Sequence, residues 1–174
     1  GGLWWPLEIV PSFMQAIGIG LAATTLVGRY KGAGDLASAV RSYHSARKLG
    51  IVLATGIAVL FVLAPEALLS MYTSDAEVLR LGRPLLALGA AFQLFDAVQI
   101  VAGGALRGAG DTRWPFLVQT GLAWFLRLPL AWFFAVTLGG GVVGAWYAEF
   151  VFICALAAAL MWRFRAGTWK AVEI

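Results

Sequence analysis

The sequence is poor in the residues that most chemistry requires. It holds one cysteine, Cys154, and one histidine, His44. A single cysteine excludes an internal disulfide framework and a cysteine-rich metal site. His44 lies in a basic stretch and reads as a surface residue. No Ser-His-Asp, Cys-His, HExxH or paired-aspartate pattern accompanies it, so the chain is not expected to be an enzyme or to hold a metal or cofactor. Charge is scarce as well. Charged residues make up 13% of the chain, against about 25% in soluble domains. Thirteen basic and nine acidic side chains cannot cover the roughly one third of its unfolded surface that a soluble domain of this size keeps exposed. Disorder is excluded too, because 61% of the residues are hydrophobic and offer ample surface to bury. A basic segment followed by a short apolar core, the mark of a secretory signal, is missing. So is an initiator methionine: the chain opens Gly1-Gly2, which reads as the start of a fragment.

What is present is apolar length. A helix needs about 20 mostly apolar residues to cross about 30 Å of hydrocarbon, and five stretches qualify: residues 7–27, 49–64, 84–106, 114–138 and 142–161. The second is short, but its helix can begin near Asp35 with a wet first part. Ten-residue alternating strands are not visible, so the fold class expected is an all-α integral membrane protein of five transmembrane helices. Basic residues then orient it. The connections after the first and third stretches and the C-terminal tail hold ten of the thirteen, including Arg29, Lys31, Arg41, Arg107 and Arg163. By the positive-inside rule these lie in the cytoplasm and the first residue lies outside. The net charge of +4 is thereby a topology signal, and no nucleic-acid partner is expected. Trp4, Trp5, Trp114, Trp162 and Trp169 fall at span ends, where aromatic belts form. Trp124, Trp132 and Trp146 sit deeper, facing partner helices or a cavity.

One motif occurs twice on the basic side: Gly32-Ala33-Gly34-Asp35 and Gly108-Ala109-Gly110-Asp111. The physical reading is a stop and a start, with glycine in the left-handed C-cap conformation and each aspartate capping the next helix. Walker or Rossmann spacing does not follow, so a phosphate site is disfavoured. Ile17-Gly18-Ile19-Gly20 reads as small residues for close helix packing. Ser74 and Glu77 form a capping box after the outer Tyr72-Thr73 turn, Gly139-Gly140-Gly141 forms the other outer turn, and Pro115 sits early in its helix, where it costs little.

Ionisable groups at membrane depth are functional candidates by default. Asp96 lies near the middle of the third stretch, with Gln93 three residues before it and Gln99 three after. That spacing makes one polar stripe, which faces protein or water rather than lipid. The functional reading of Asp96 is a proton- or cation-binding carboxylate, with Na+ a possible ion, and the plain one is a structurally paired acid. Arg127, two residues before Pro129, reads either as a counter-ion that sets the protonation state of Asp96 or holds an anionic group, or as a hydrogen-bond donor to carbonyls freed by the proline. Glu149 is a second carboxylate near the cavity mouth or an interfacial charge. Glu8 reads as solvated, and Cys154 as a small core residue.

Several of these stretches together resemble a known family. Ala22-Ala23-Thr24-Thr25-Leu26-Val27-Gly28-Arg29 with Gly32-Ala33-Gly34-Asp35, Tyr72-Thr73-Ser74-Asp75, and Phe92-Gln93-Leu94-Phe95-Asp96 leading to Gly103-Gly104-Ala105-Leu106-Arg107-Gly108-Ala109-Gly110-Asp111-Thr112 are similar to MATE-type multidrug and toxic compound extrusion transporters. Arg127-Leu128-Pro129-Leu130-Ala131 and the tail from Trp162 to Trp169 fit in the same order. The resemblance implies a twelve-helix, two-lobed antiporter that exchanges H+ or Na+ for organic cations across the cytoplasmic membrane, without a cofactor. It makes these spans helices eight to twelve, a partial C-terminal lobe of residues 1–174, whose partners are the lipid bilayer, organic cation substrates and the N-terminal lobe of the same polypeptide. It places Asp96 where the family carries an acid on its tenth helix, with Gln93, Gln99, Arg127 and Glu149 lining the cavity. The family's seventh-helix acid has no counterpart here. Two alternatives stay open: a lipid-linked oligosaccharide flippase of the same superfamily, which would want more cationic residues than Arg127 alone, and a stand-alone small structural membrane protein.

Overall fold

In hydrocarbon every backbone amide must find its partner within its own helix, and each long apolar stretch of this chain is helical. The computed structural model describes the backbone of residues 5–70 and 76–172, and the side chains of residues 16–70, 79, 82 and 84–172. The Tyr72-Thr73 turn, the Ser74 and Glu77 capping box, and the side chains of Trp4, Trp5 and Glu8 lie outside the described residues. The helices are α1 (Trp5–Gly32), α2 (Leu36–Leu63), α3 (Pro65–Ser70), α4 (Ala76–Gly108), α5 (Arg113–Thr137) and α6 (Gly141–Ala166), followed by a 3₁₀ turn at Thr168–Ala171. Strands are absent among the described residues. By length and composition, α2, residues 84–108 of α4, α5 and α6 can each cross a membrane, and the protein is membrane-embedded.

Local chemistry sets the boundaries. α2 begins thirteen residues before the expected stretch at 49–64, because Asp35 caps it: the Asp35 carboxylate accepts from the Ser38 amide at 2.9 Å. It ends at Leu63 because Pro65 disfavours the helical conformation in the residue before it, and Ala64 sits at φ −129°, ψ 45°. α5 is α-helical over Arg113–Leu122, widens into a π turn at Ala123–Arg127, returns to α over Leu128–Trp132 and widens again at Phe133–Thr137. Pro129 has no N–H, and its ring would meet the carbonyl four residues back. The wide turn before it relieves that clash, with the Leu128 amide donating to the Ala123 carbonyl. One plain helix is the expectation from the residues here, and neither π turn is foreseen in it.

α4 is the hub, packed against α1, α2 and α6. It meets α1 through small residues. A β-carbon on Gly104 would lie 2.5 Å from the Gly20 carbonyl oxygen, and one on Gly28 would lie 2.8 Å from that of Gly108. Between these contacts the Thr24 hydroxyl bridges the helices, 2.9 Å from the Gly20 carbonyl and 3.0 Å from that of Gly104. Gly18 meets nothing within 4 Å, so of the two glycines in the Ile17–Gly20 run only Gly20 supports the close packing. The main core, with Val27, Tyr43, Val101, Leu106, Leu156 and Trp169 fully or almost fully buried, lies toward the basic end. A smaller cluster of Phe61, Leu69, Leu86 and Ala90 closes the other end. α5 lies outermost, with none of its apolar window buried by the rest of the chain. Trp124 and Trp132 are accordingly exposed, and among the described residues only Trp146 of the three deeper tryptophans meets an aromatic partner, Phe92, edge-on at 6.3 Å.

The two Gly-Ala-Gly-Asp segments fold alike. In each, the second glycine has positive φ, +77° at Gly34 and +84° at Gly110. The aspartate amide reaches back to the carbonyl of Tyr30 in one copy and of Leu106 in the other, which closes a Schellman turn. The aspartate side chains then diverge. Asp35 caps α2, but Asp111 does not cap α5: its carboxylate is buried and accepts from Arg163 Nε on α6 at 2.8 Å. This corrects the expectation of two equivalent caps. The reason is tertiary, because Asp111 faces α6 while Asp35 faces open space.

Candidate functional site

The polar stripe of α4 runs through the middle of the helix. Residues advance 100° per step around a helix. One row of α4, Phe92, Phe95 and Gly103, meets α6 through Trp146, Phe150 and Leu160. A second row, Ile100, Gly104 and Gly108, meets α1. Asp96 falls on the seam between the two rows and is 3% exposed; Gln93, one turn earlier, is also buried. Gln99 donates its amide Nε2 to Asp96 Oδ1 at 3.0 Å. The i, i+3 spacing read from the sequence thereby becomes a buried carboxylate held by a side-chain amide on its own helix.

Glu149 on α6 stands within electrostatic range of Asp96. It also ties in Arg127: the guanidinium Nη1 lies 3.5 Å from Glu149 Oε2, with both side chains partly exposed. Arg127 also lies over the Phe152 ring at 5.2 Å. The structure thus pairs Arg127 with Glu149, a partner that the sequence alone did not point to. All five residues singled out in the sequence come together on α4, α5 and α6, with Asp96 in the packed seam and the Arg127–Glu149 pair in the more open part. What the sequence reading misses is the aromatic wall beside them. Phe92 meets Trp146 and Phe95 meets Phe150 edge-to-face, the latter at 5.8 Å and 90°. The signal was available, since 92 and 95, and 146 and 150, share helix faces at i+3 and i+4. Cys154 is half-buried and His44 exposed.

The basic end holds a second arrangement. Lys31 Nζ donates to the carbonyls of Ala109, at 2.6 Å, of Trp169, at 2.9 Å, and of Val172. One ammonium therefore joins the end of α1, the α4–α5 turn and the C-terminal tail. Desolvation lowers the affinity of Lys31 for its proton, and the charge of Asp111 partly offsets this. Trp169 is fully buried, stacks on Phe164 at 4.8 Å and donates its indole N–H to the Phe164 carbonyl. The three basic segments of the chain therefore share one end of the bundle.

Comparison with known proteins extends this picture. Residues 9–133 match the MatE family. Over 164 residues the chain is 35% identical to a probable multidrug resistance protein NorM of Pseudomonas putida, covering 91% of this chain and 36% of that protein. A multidrug resistance protein NorM of Burkholderia vietnamiensis is 33% identical over 90% of the chain and 35% of its own length. A probable NorM of Thermotoga maritima is 31% identical over 91% of the chain and 34% of its own length. The chain thus spans about a third of the length of the curated relatives it matches. A solved structure described as the inward-facing conformation of a multidrug resistance MATE family transporter of the MOP superfamily superposes with a TM-score of 0.77. It shares 24% identity and covers 90% of this chain and 36% of that one, which shows a common fold.

Proposed function

The chain belongs to the MatE family, and from that membership we propose that its helices form part of a cation-coupled antiporter exporting organic cations or drugs across the cytoplasmic membrane. Asp96 is the residue at which a proton or Na+ binds. The observation that carries this reading is the placement of a buried carboxylate on the seam where α4 meets both α1 and α6, with one amide donor from Gln99. A buried carboxylate without a full partner set costs several kcal/mol, so a bound proton or Na+ removes that cost and changes which packing of the seam is favoured. Coupling then follows if the organic cation competes for the same negative charge. The rings of Phe92 and Trp146 offer faces to such a cation. The N-terminal lobe of a longer polypeptide supplies the rest of the cavity. The gathering of Lys31, Ala109 and Trp169 at one end supports a cytoplasmic placement of that end. The flippase alternative loses ground, because the single deep cation, Arg127, is engaged by Glu149.

The test is Asp96→Asn in the polypeptide as its gene encodes it. Coupled efflux is lost while membrane insertion and amount are kept. Wild-type drug resistance in that variant would sink the proposal.

A further inference from the structure

α1 and α2 leave between them a groove of about 500 Å³ at the basic end of the bundle. Its walls differ along the helix axis. Nearest the Gly32–Asp35 turn, α2 contributes Ser38, Arg41, Ser42 and Ser45, residues that share one face by their i, i+3, i+4 and i+7 spacing. Farther from the turn the lining is Ile19 and Leu26 of α1 and Leu49 of α2. The groove is thus polar and cationic at its mouth and apolar along its length. Arg41 is held over the mouth, its guanidinium donating to the Ser38 hydroxyl at 2.8 Å. The nearby acid, Asp35, accepts from the Ser38 amide and lies within electrostatic range of Arg41, leaving the basic excess of the segment to set the sign of the mouth. From Arg29 to Lys48 the chain carries five basic residues and one acidic residue.

We propose that this groove is a binding site for one anionic glycerophospholipid. Its phosphate accepts from Arg41 and the serine hydroxyls, and an acyl chain lies along Ile19, Leu26 and Leu49. The chemistry selects this occupant. A free phosphate leaves the apolar half unfilled, an organic cation meets Arg41 with like charge, and a choline headgroup brings a second cation to the guanidinium. The position fits as well, because the groove begins where the polar connection of the chain meets its apolar helices, the level at which basic residues attract anionic lipid. A lipid seated there fills the gap between α1 and α2 at the end where Lys31 and the C-terminal tail already tie α1 to α4. It thereby braces the side of the bundle that the tail leaves open.

The experiment uses the polypeptide as its gene encodes it, purified in a neutral detergent and titrated with phosphatidylglycerol, phosphatidylcholine or glycerol phosphate. Bound lipid is read by native mass spectrometry and stabilisation by thermal unfolding. Wild type is expected to retain phosphatidylglycerol about fivefold more tightly than phosphatidylcholine, the worth of one basic residue at an anionic lipid surface. Arg41→Gln erases that preference, Ser42→Trp fills the groove and abolishes retention of both lipids, and Lys48→Gln, the same charge change outside the groove, keeps the preference. Circular dichroism confirms that each variant folds. Equal loss in Lys48→Gln would mean that general surface charge holds the lipid, and the proposal falls. It falls equally if Arg41→Gln keeps the preference, if Ser42→Trp retains lipid, or if glycerol phosphate competes at lipid-like concentrations.

Discussion

Gly108 of α4 rests against Thr24 of α1 so closely that a β-carbon added to it would lie 2.1 Å from the Thr24 carbonyl oxygen. The obstacle is backbone, which cannot rotate away, so Gly108→Ala must separate the two helices. We expect a loss of at least about 3 kcal/mol, the range of severe overpacking. Gly18→Ala is the control. It meets open space and lies inside a helix, where alanine is favoured by up to about 1 kcal/mol. Thermal unfolding of the purified protein should show a large fall for the first and no fall for the second. Equal melting temperatures would refute the packing argument.

The two aspartates of the repeated motif should respond differently to removal. Asp111→Ala leaves Arg163, whose guanidinium also lies over Trp114 at 5.3 Å, without its buried partner, at a cost of about 3 kcal/mol. A double variant with Arg163→Met recovers part of that loss. Asp35→Ala removes only an exposed cap and costs less. The cap carries a pH signature. Hydrogen bonds from the Ser38 side chain, and then from its amide, hold the Asp35 carboxyl below its usual 3.8. A carboxyl lowered on folding contributes stability that is complete above the unfolded value and fades as pH falls through the folded one. Protection of the Ser38 amide from hydrogen exchange should therefore weaken only below about pH 4, and Asp35→Asn should remove that dependence. A transition near neutrality would contradict it.

Lys31 is predicted to anchor the tail. Lys31→Met leaves the carbonyls of Ala109, Trp169 and Val172 without their shared donor. A charged donor is worth about 2 kcal/mol, so the tail should open more often. Limited trypsin digestion at Arg165 and Lys170 should speed up by about tenfold or more, with the fluorescence of Trp169 shifting as its stacking on Phe164 loosens. Unchanged cleavage would show that Trp169 alone holds the tail.

Arg127 and Glu149 should behave as a pair. Their partial exposure limits the contribution of the pair to stability to about 1 kcal/mol or less. The effect on transport is expected to be larger, because Arg127→Gln leaves Glu149 unpaired beside Asp96. Arg127→Gln should reduce efflux, and adding Glu149→Gln should restore part of it. Strictly additive effects in the double-variant cycle would show that the two do not act together.

The legibility of this chain follows the range of each interaction. The α4 stripe could be read in advance because Gln93, Asp96 and Gln99 lie within two turns of one helix, and 100° per residue puts them on one face without any tertiary knowledge. The Schellman turns at Gly34 and Gly110 were equally local. The Arg127–Glu149 pair was not, since the residues come from different helices and Arg127 closes a π turn at Ala123–Arg127 that breaks the regular 100° step. Neither was the fate of Asp111. Its sequence surroundings match those of Asp35, yet Arg163, 52 positions away, takes its carboxylate.

The sequence by itself determined that this protein lives in a bilayer, that its backbone is helical and that it turns at Gly34, Gly110 and Gly139. Those properties rest on apolar length, glycine and proline, and each acts over a few residues. Tertiary structure decided the rest: that α4 is the hub, because Gly104 and Gly108 admit α1 to backbone contact; that Lys31 gathers three distant carbonyls; and that Asp96 lies sealed between two packed rows. A charge in a helix is visible in a string of letters, but its burial depends on what the neighbouring helices bring to it.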